Sequence, residues 1–164
     1  MLVVGAEDIQ VKFGRHHKEA GPYLIIGRAC GFAFDTAYAT GPGHGLILWP
    51  PHALRHQLWY LRPTGTTGEA SVISAANGLA IDATEETADP KPVMSEPTNS
   101  LRQRWRLADS PDGAGYLMQS VHNGLYLTVS EDAEPRWRPW FTPRHGDLSQ
   151  QWIIALPHGP APRK

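Results

Sequence analysis

Short apolar runs, each interrupted by glycine, proline or a polar cluster, recur along this chain, and in several of them the apolar side chains fall on every second position. Tyr23 to Ile26, Val72-Ile73 and Tyr116 to Met118 lead into Cys30-Gly31, Asn77-Gly78 and Asn123-Gly124. Past each glycine, Phe32 and Phe34, Leu79 and Ile81, and Leu125 and Leu127 alternate with other residues. A period of two is the mark of a strand. Asn-Gly between two such runs predicts a β-hairpin closed by a tight primed turn with positive φ at its centre. A third run follows in each case, Leu46 to Trp49, Pro92 to Ser95 and Pro139 to Thr142, and then a fourth, Tyr60-Leu61, Leu107 and Ile153-Ile154. The pattern predicts an all-β chain of twelve short strands in three sets of four.

The three sets are in step. Gln57-Leu58-Trp59, Gln103-Arg104-Trp105 and Gln150-Gln151-Trp152 place tryptophans 46 and 47 residues apart, and Gly31, Gly78 and Gly124 are spaced 47 and 46. Self-similarity at a fixed period of this length marks a repeat architecture. Glutamine and tryptophan two apart share one face of an extended chain, where an indole fills a layer and an amide satisfies it. These six residues therefore read as scaffold.

Three units of this length, each ending in glutamine, any residue, tryptophan, resemble the ricin-type β-trefoil lectins, with the likeness running from about Tyr23 to Leu156. The resemblance implies a six-stranded barrel capped by three hairpins around a pseudo-threefold axis, with up to three shallow sugar sites. It divides the chain into an N-terminal extension, 1–21, repeats at about 22–66, 67–112 and 113–156, and a tail, 157–164.

Alternation turns Asp35, Asp82 and Thr128 away from the apolar positions beside them. In the family an aspartate here accepts hydrogen bonds from vicinal sugar hydroxyls, a task suited to a carboxylate with two oxygens. The stacking aromatic of the family falls on Trp49, whose flat ring can cover the C–H face of a pyranose. The polar residue two before it is Ile47 here, and the asparagine before the repeat glutamine is His56, whose imidazole still donates and accepts. Asp35 and Trp49, with Ile47, His56 and Gln57, thus form the candidate carbohydrate site. The second repeat keeps Asp82 but has Ser95 for the aromatic, so Asp82 reads as a solvated acid or turn residue. The third has Thr128 and Thr142. A galactose-like or N-acetylgalactosamine-like sugar in the first repeat alone is the expectation.

Pro135-Arg136-Trp137-Arg138-Pro139-Trp140 sets two indoles among arginines, and with Tyr126 it forms a second candidate surface, for sugar or protein. The competing reading is that Trp137 and Trp140 cover the barrel while the arginines pair with acids. A β-trefoil that binds protein, as an inhibitor or adaptor, is the alternative function.

Composition narrows the field. At 164 residues the chain suits one domain, and 16 Gly and 15 Pro fit many turns better than long helices. Sixteen acidic against 15 basic residues leave a net charge of −1, which gives nucleic acid or an anionic membrane no global attraction. The single Cys30 reads as a small packed residue. No leader-like or membrane-spanning run appears, so the expectation is a cytoplasmic protein or one released without a signal peptide. Ile9, Val11 and Phe13 allow an edge strand, and Arg15-His16-His17-Lys18 a solvated basic loop. His52 and His56 stand four apart near His44. A metal there is set aside because Pro50-Pro51 precede them and no Cys, Asp or Glu lies at ligand spacing. No nucleophile elbow, phosphate loop or paired-carboxylate spacing points to an enzyme, and no cofactor is implied. A shallow single site makes oligomerisation for avidity a further possibility.

Overall fold

The computed structural model describes residues 2–3, 19–37, 41–83 and 88–157. The proposed edge strand at Ile9 to Phe13, the basic loop at Arg15 to Lys18 and the tail beyond Pro157 lie outside the described residues. No helix among those described is long and apolar enough to cross a membrane.

The twelve expected strands form, joined by one more at the start. In chain order they are β1 (Leu2–Val3), β2 (Ala20–Gly27), β3 (Ala33–Asp35), β4 (Ile47–Trp49), β5 (Trp59–Pro63), β6 (Glu69–Ser74), β7 (Ala80–Asp82), β8 (Val93–Ser95), β9 (Trp105–Asp109), β10 (Tyr116–Ser120), β11 (Tyr126–Thr128), β12 (Trp140–Thr142) and β13 (Trp152–Leu156). Strands β2, β5, β6, β9, β10 and β13 pair in a ring, all antiparallel, and the ring closes where Trp152 to Ala155 of β13 meet Gly27 to Leu24 of β2. Hairpins β3–β4, β7–β8 and β11–β12 cap one end. This is the β-trefoil. β1 lies on β13, with Leu2 opposite Leu156.

The core follows from the repeat. Trp59, Trp105 and Trp152 are fully buried, and each indole N–H donates to a backbone carbonyl of its own repeat, Phe34 at 3.2 Å, Ile81 at 3.0 Å and Leu127 at 3.1 Å. Phe34 packs on two of them, edge-on to Trp59 and tilted 4.6 Å from Trp152. Leu46 and Leu48 are buried while Ile47 and Trp49 are half-buried, as the alternation requires.

The glutamines do more than fill a layer. Gln57 Nε2 donates to Asp35 and to the Pro50 carbonyl, both at 3.0 Å, and its Oε1 accepts from His52 N–H and Ala53 N–H. Gln103 bonds likewise to Asp82, the Glu96 carbonyl and Thr98 N–H, and Gln150 to Thr142, the Pro143 carbonyl, His145 N–H and Gly146 N–H. Each glutamine sits in a short 3₁₀ turn, Arg55–Gln57, Leu101–Gln103 or Leu148–Gln150, and straps that turn over the end of a cap strand. This corrects the reading of Asp82 as a solvated acid. Alternation does turn it from the core, but the strap covers that face, and Asp82 is 2% exposed.

The hairpin turns also differ from expectation. Ser74 N–H donates to Leu79 O and Gly78 N–H to Ser74 O, so the loop holds four residues, with its glycine last. The same pair of bonds recurs between Gly27, Gly31 and Phe32 and between Ser120, Gly124 and Leu125. Only the glycine takes positive φ, at 76°, 75° and 73°. The asparagine serves through its side chain: Asn77 and Asn123 accept from the N–H of Leu79 and Leu125. In the first repeat Cys30 Sγ takes that place beneath Phe32 N–H, and burial raises the pKa of its thiol, which fits a packing role.

Replacing Gln103 by Ala leaves a buried carboxylate and a backbone N–H without their partner, and is expected to cost about 2 kcal/mol or more in urea unfolding. The exposed Leu101→Ala should stay within about 0.5 kcal/mol. A Cβ at Gly124 would meet nothing within 4 Å. Gly124→Ala should therefore show the backbone cost alone, about 1 kcal/mol, and Gly124→Asn less.

Candidate functional site

Beside β3 and β4 the first repeat opens a cleft of about 360 Å³, lined by Asp35, Ala37, Ile47, Trp49, His52, His56 and Arg136. Four of the five candidate carbohydrate residues line it. Gln57 stands behind, holding Asp35 from below through the 3.0 Å bond. Asp35 is 2% exposed, and its other oxygen accepts from Ala37 N–H at 2.6 Å, so the carboxylate is fixed at the cleft floor. Trp49 forms a wall one strand over, with Ala33 opposite it and Ile47 opposite Asp35.

The loop after β4 supplies His52 and leads into the 3₁₀ turn that carries His56. Its wrap around the Gln57 carboxamide brings His52 Nε2 within 3.0 Å of His56 Nε2 and within 3.7 Å of Asp35 Oδ2, while His56 Nε2 lies 3.8 Å from the same oxygen. Leu54 N–H donates to His52 Nδ1, which puts the proton of that ring on Nε2, facing His56. Burial lowers the pKa of His56; the Asp35 carboxylate opposes the shift and His52 adds to it. The floor therefore presents one carboxylate and two imidazoles that share a proton.

Arg136 was expected on a separate surface in the third repeat. Instead its backbone N–H donates to Leu48 O, and Leu48 N–H donates to Trp137 O, so this segment lies along β4 of the first repeat. The Arg136 guanidinium sits over the Trp49 ring, 5.8 Å from its centroid, at cation–π range. Arg138 points elsewhere. It donates to the Pro92 carbonyl at 2.9 Å and fills the space where a side chain on Gly45 would stand, tying three repeats together. Trp137 is 40% exposed, and Trp140 and Tyr126 are half-buried on the third cap hairpin. The second candidate surface is thus divided between cleft, interior and third repeat.

Backbone strain gathers at this cleft. Among the described residues, the non-glycine residues with positive φ are Ala37, Ala53 and Arg136, at 56°, 60° and 77°. Two line the cleft and the third follows His52. Such conformations cost of order 1 kcal/mol each and persist where surrounding bonds impose them. At the position of Ala53 the third repeat has Gly146, also left-handed.

Among the described residues, the other repeats lack this combination of side chains. In the third, the Thr128 and Thr142 hydroxyls bond each other at 2.6 Å, and Trp140 occupies the place of Ile47. In the second, Ser95 lies opposite Ala80, where the first repeat has Trp49 opposite Ala33, and gives no ring to stack on. Sequence reading left His52, Ala37 and Arg136 out of the site. His52 stands one residue before the left-handed Ala53, while Ala37 and Arg136 give no signal short of the fold.

Residues 55–136 match the family described as ricin-type beta-trefoil lectin domain-like. No curated protein has a sequence that matches this one. Among solved structures, the designed threefold-symmetric protein ThreeFoil superposes with a TM-score of 0.75 at 23% identity, over 83% of this chain and 99% of its own. The ricin B-like lectin of Macrolepiota procera, solved with lactose, gives 0.71 at 19%, over 86% and 96%. The C-half of the earthworm R-type lectin, solved with GalNAc, gives 0.64 at 20%, over 81% and 96%.

Arg136→Ala should uncover the Trp49 ring. Acrylamide quenching of tryptophan fluorescence is expected to rise in that variant and to stay unchanged in Arg144→Ala; equal quenching in both would place the guanidinium elsewhere.

Proposed function

Since the chain belongs to the ricin-type beta-trefoil lectin domain-like family, we propose that it is a carbohydrate-binding protein whose working site is the cleft of the first repeat, taking a galactose-like or N-acetylgalactosamine-like sugar. The observation that carries this reading is the pairing of a fixed carboxylate with an indole wall. Asp35 keeps its oxygens aimed at the cleft without reorganising, because Gln57 and Ala37 hold it. Two adjacent sugar hydroxyls can donate to it while the ring's C–H face lies on Trp49, shedding water from both surfaces. His56 and His52 make the floor polar beside Ile47, which offers no hydrogen bond.

Arg136 bears on this directly. Its guanidinium lies over the ring that a sugar would use, so a bound sugar must slide beneath it or displace it. Exchange of one contact for another keeps the net gain small. Together with the shallow cleft this supports weak binding, near the millimolar range or about −4 kcal/mol. The role is binding, without a catalytic step. The lactose and GalNAc found in the Macrolepiota and earthworm structures support the choice of sugar class.

Titration of galactose, lactose and N-acetylgalactosamine, followed by tryptophan fluorescence or NMR shifts, tests the assignment. Trp49→Ala and Asp35→Asn should each weaken binding about tenfold or more, while Trp140→Ala and Tyr126→Ala leave it unchanged. Binding that survives both first-repeat substitutions would remove the site from this cleft. A glycan array without any signal would favour a β-trefoil that binds protein.

A further inference from the structure

The floor of the cleft has the donor set of a metal site. Its three atoms, His52 Nε2, His56 Nε2 and Asp35 Oδ2, are separated by 3.0, 3.7 and 3.8 Å. Nitrogen and oxygen ligands about 2.0 to 2.1 Å from a tetrahedral zinc ion lie roughly 3.4 Å from one another, close to the spacing seen here. The point equidistant from the three atoms lies about 2 Å from each, at bonding distance for such an ion. We propose that Asp35, His52 and His56 bind one divalent transition-metal ion of the zinc class, with its remaining coordination position open to the cleft.

Three features support the assignment. The acid that ligand spacing along the chain lacked is supplied by β3, which topology brings under the histidine loop. Asp35 is oriented by Gln57 Nε2 on the ligating oxygen and Ala37 N–H on the other, the kind of outer bonding that fixes a metal carboxylate. The two Nε2 atoms lie 3.0 Å apart and share one proton, and a cation at the equidistant point, with that proton moved away, takes a lone pair from each. Two imidazoles select a zinc-class ion over calcium or magnesium, which prefer oxygen alone. Ligation moves the His52 proton to Nδ1, so Leu54 N–H, on an exposed turn, passes to water. Arg136, the cation of the cleft, lies over Trp49 and supplies no ligand.

Asp35, His52 and His56 line the proposed sugar cleft as well, yet the two sites are separable. Trp49 serves only the sugar, and His52 carries the metal.

Calorimetric titration of the chelator-treated full chain with zinc chloride tests the proposal, with cobalt(II) as a spectroscopic probe. The expected result is one equivalent bound, and visible cobalt bands of a four-coordinate site. His52→Ala, at a partly exposed position that leaves the Gln57 strap intact, should weaken zinc at least about tenfold, as should Asp35→Asn. Far-ultraviolet dichroism establishes that these variants are folded. Trp49→Ala should bind zinc as the wild type does, so loss of sugar binding with zinc retained would leave this proposal standing. Absence of a stoichiometric zinc site would overturn it. So would binding that persists in His52→Ala but disappears in His16→Ala/His17→Ala or His44→Ala.

Discussion

A buried glutamine carboxamide that must satisfy both of its ends is the constraint on which this molecule is arranged. Gln57, Gln103 and Gln150 each lie where water does not reach, so their donors and acceptors must be met by protein. The partners available are a loop's N–H groups on one side and a cap-strand side chain on the other. Meeting them folds the loop over the strand and buries that side chain. Two residues on, the tryptophan hooks its indole N–H to the neighbouring carbonyl of the same strand. One short motif thereby clamps a cap strand from both faces, three times around the axis. The carboxylate of Asp35 owes its fixed position to this clamp, which makes scaffold and site inseparable in the first repeat.

The architecture was legible because it is periodic. The spacing of Trp59, Trp105 and Trp152 and the alternation at Leu46 to Trp49 located strands and their inward faces, since a period of two is a property of the backbone itself. Asp35, Trp49, Ile47 and His56, grouped on the sequence, line one cleft. What escaped was non-local. Alternation tells which way Asp82 points, and it is silent on the loop that later covers it. Asn-Gly signals a turn, but turn length depends on the ladder beyond it, and so the glycine fell last in a four-residue loop. His52 and Arg136 reach the cleft because of a left-handed Ala53 and a contact between repeats, neither of which leaves a periodic trace.

The repeats are alike in frame and unlike in chemistry, and the difference has a local cause. Where the first repeat sets an acid opposite a cleft, the third sets two threonines that satisfy each other. The hydrogen-bond requirement of the clamp is met in both. In the third repeat the two hydroxyls and Gln150 satisfy one another, so that position offers a ligand no carboxylate.

The pairing of β2 with β13 has a consequence of a different kind. It joins the first and last of the six barrel strands, and Trp152, which packs on Phe34, sits at it. During synthesis the first repeat emerges long before its partner strand exists. Its cleft also waits for Arg136 and Trp137 to lie along β4. The first-made repeat is thus the last to be completed, and a nascent chain halted before the third repeat has neither a closed barrel nor a finished first-repeat cleft.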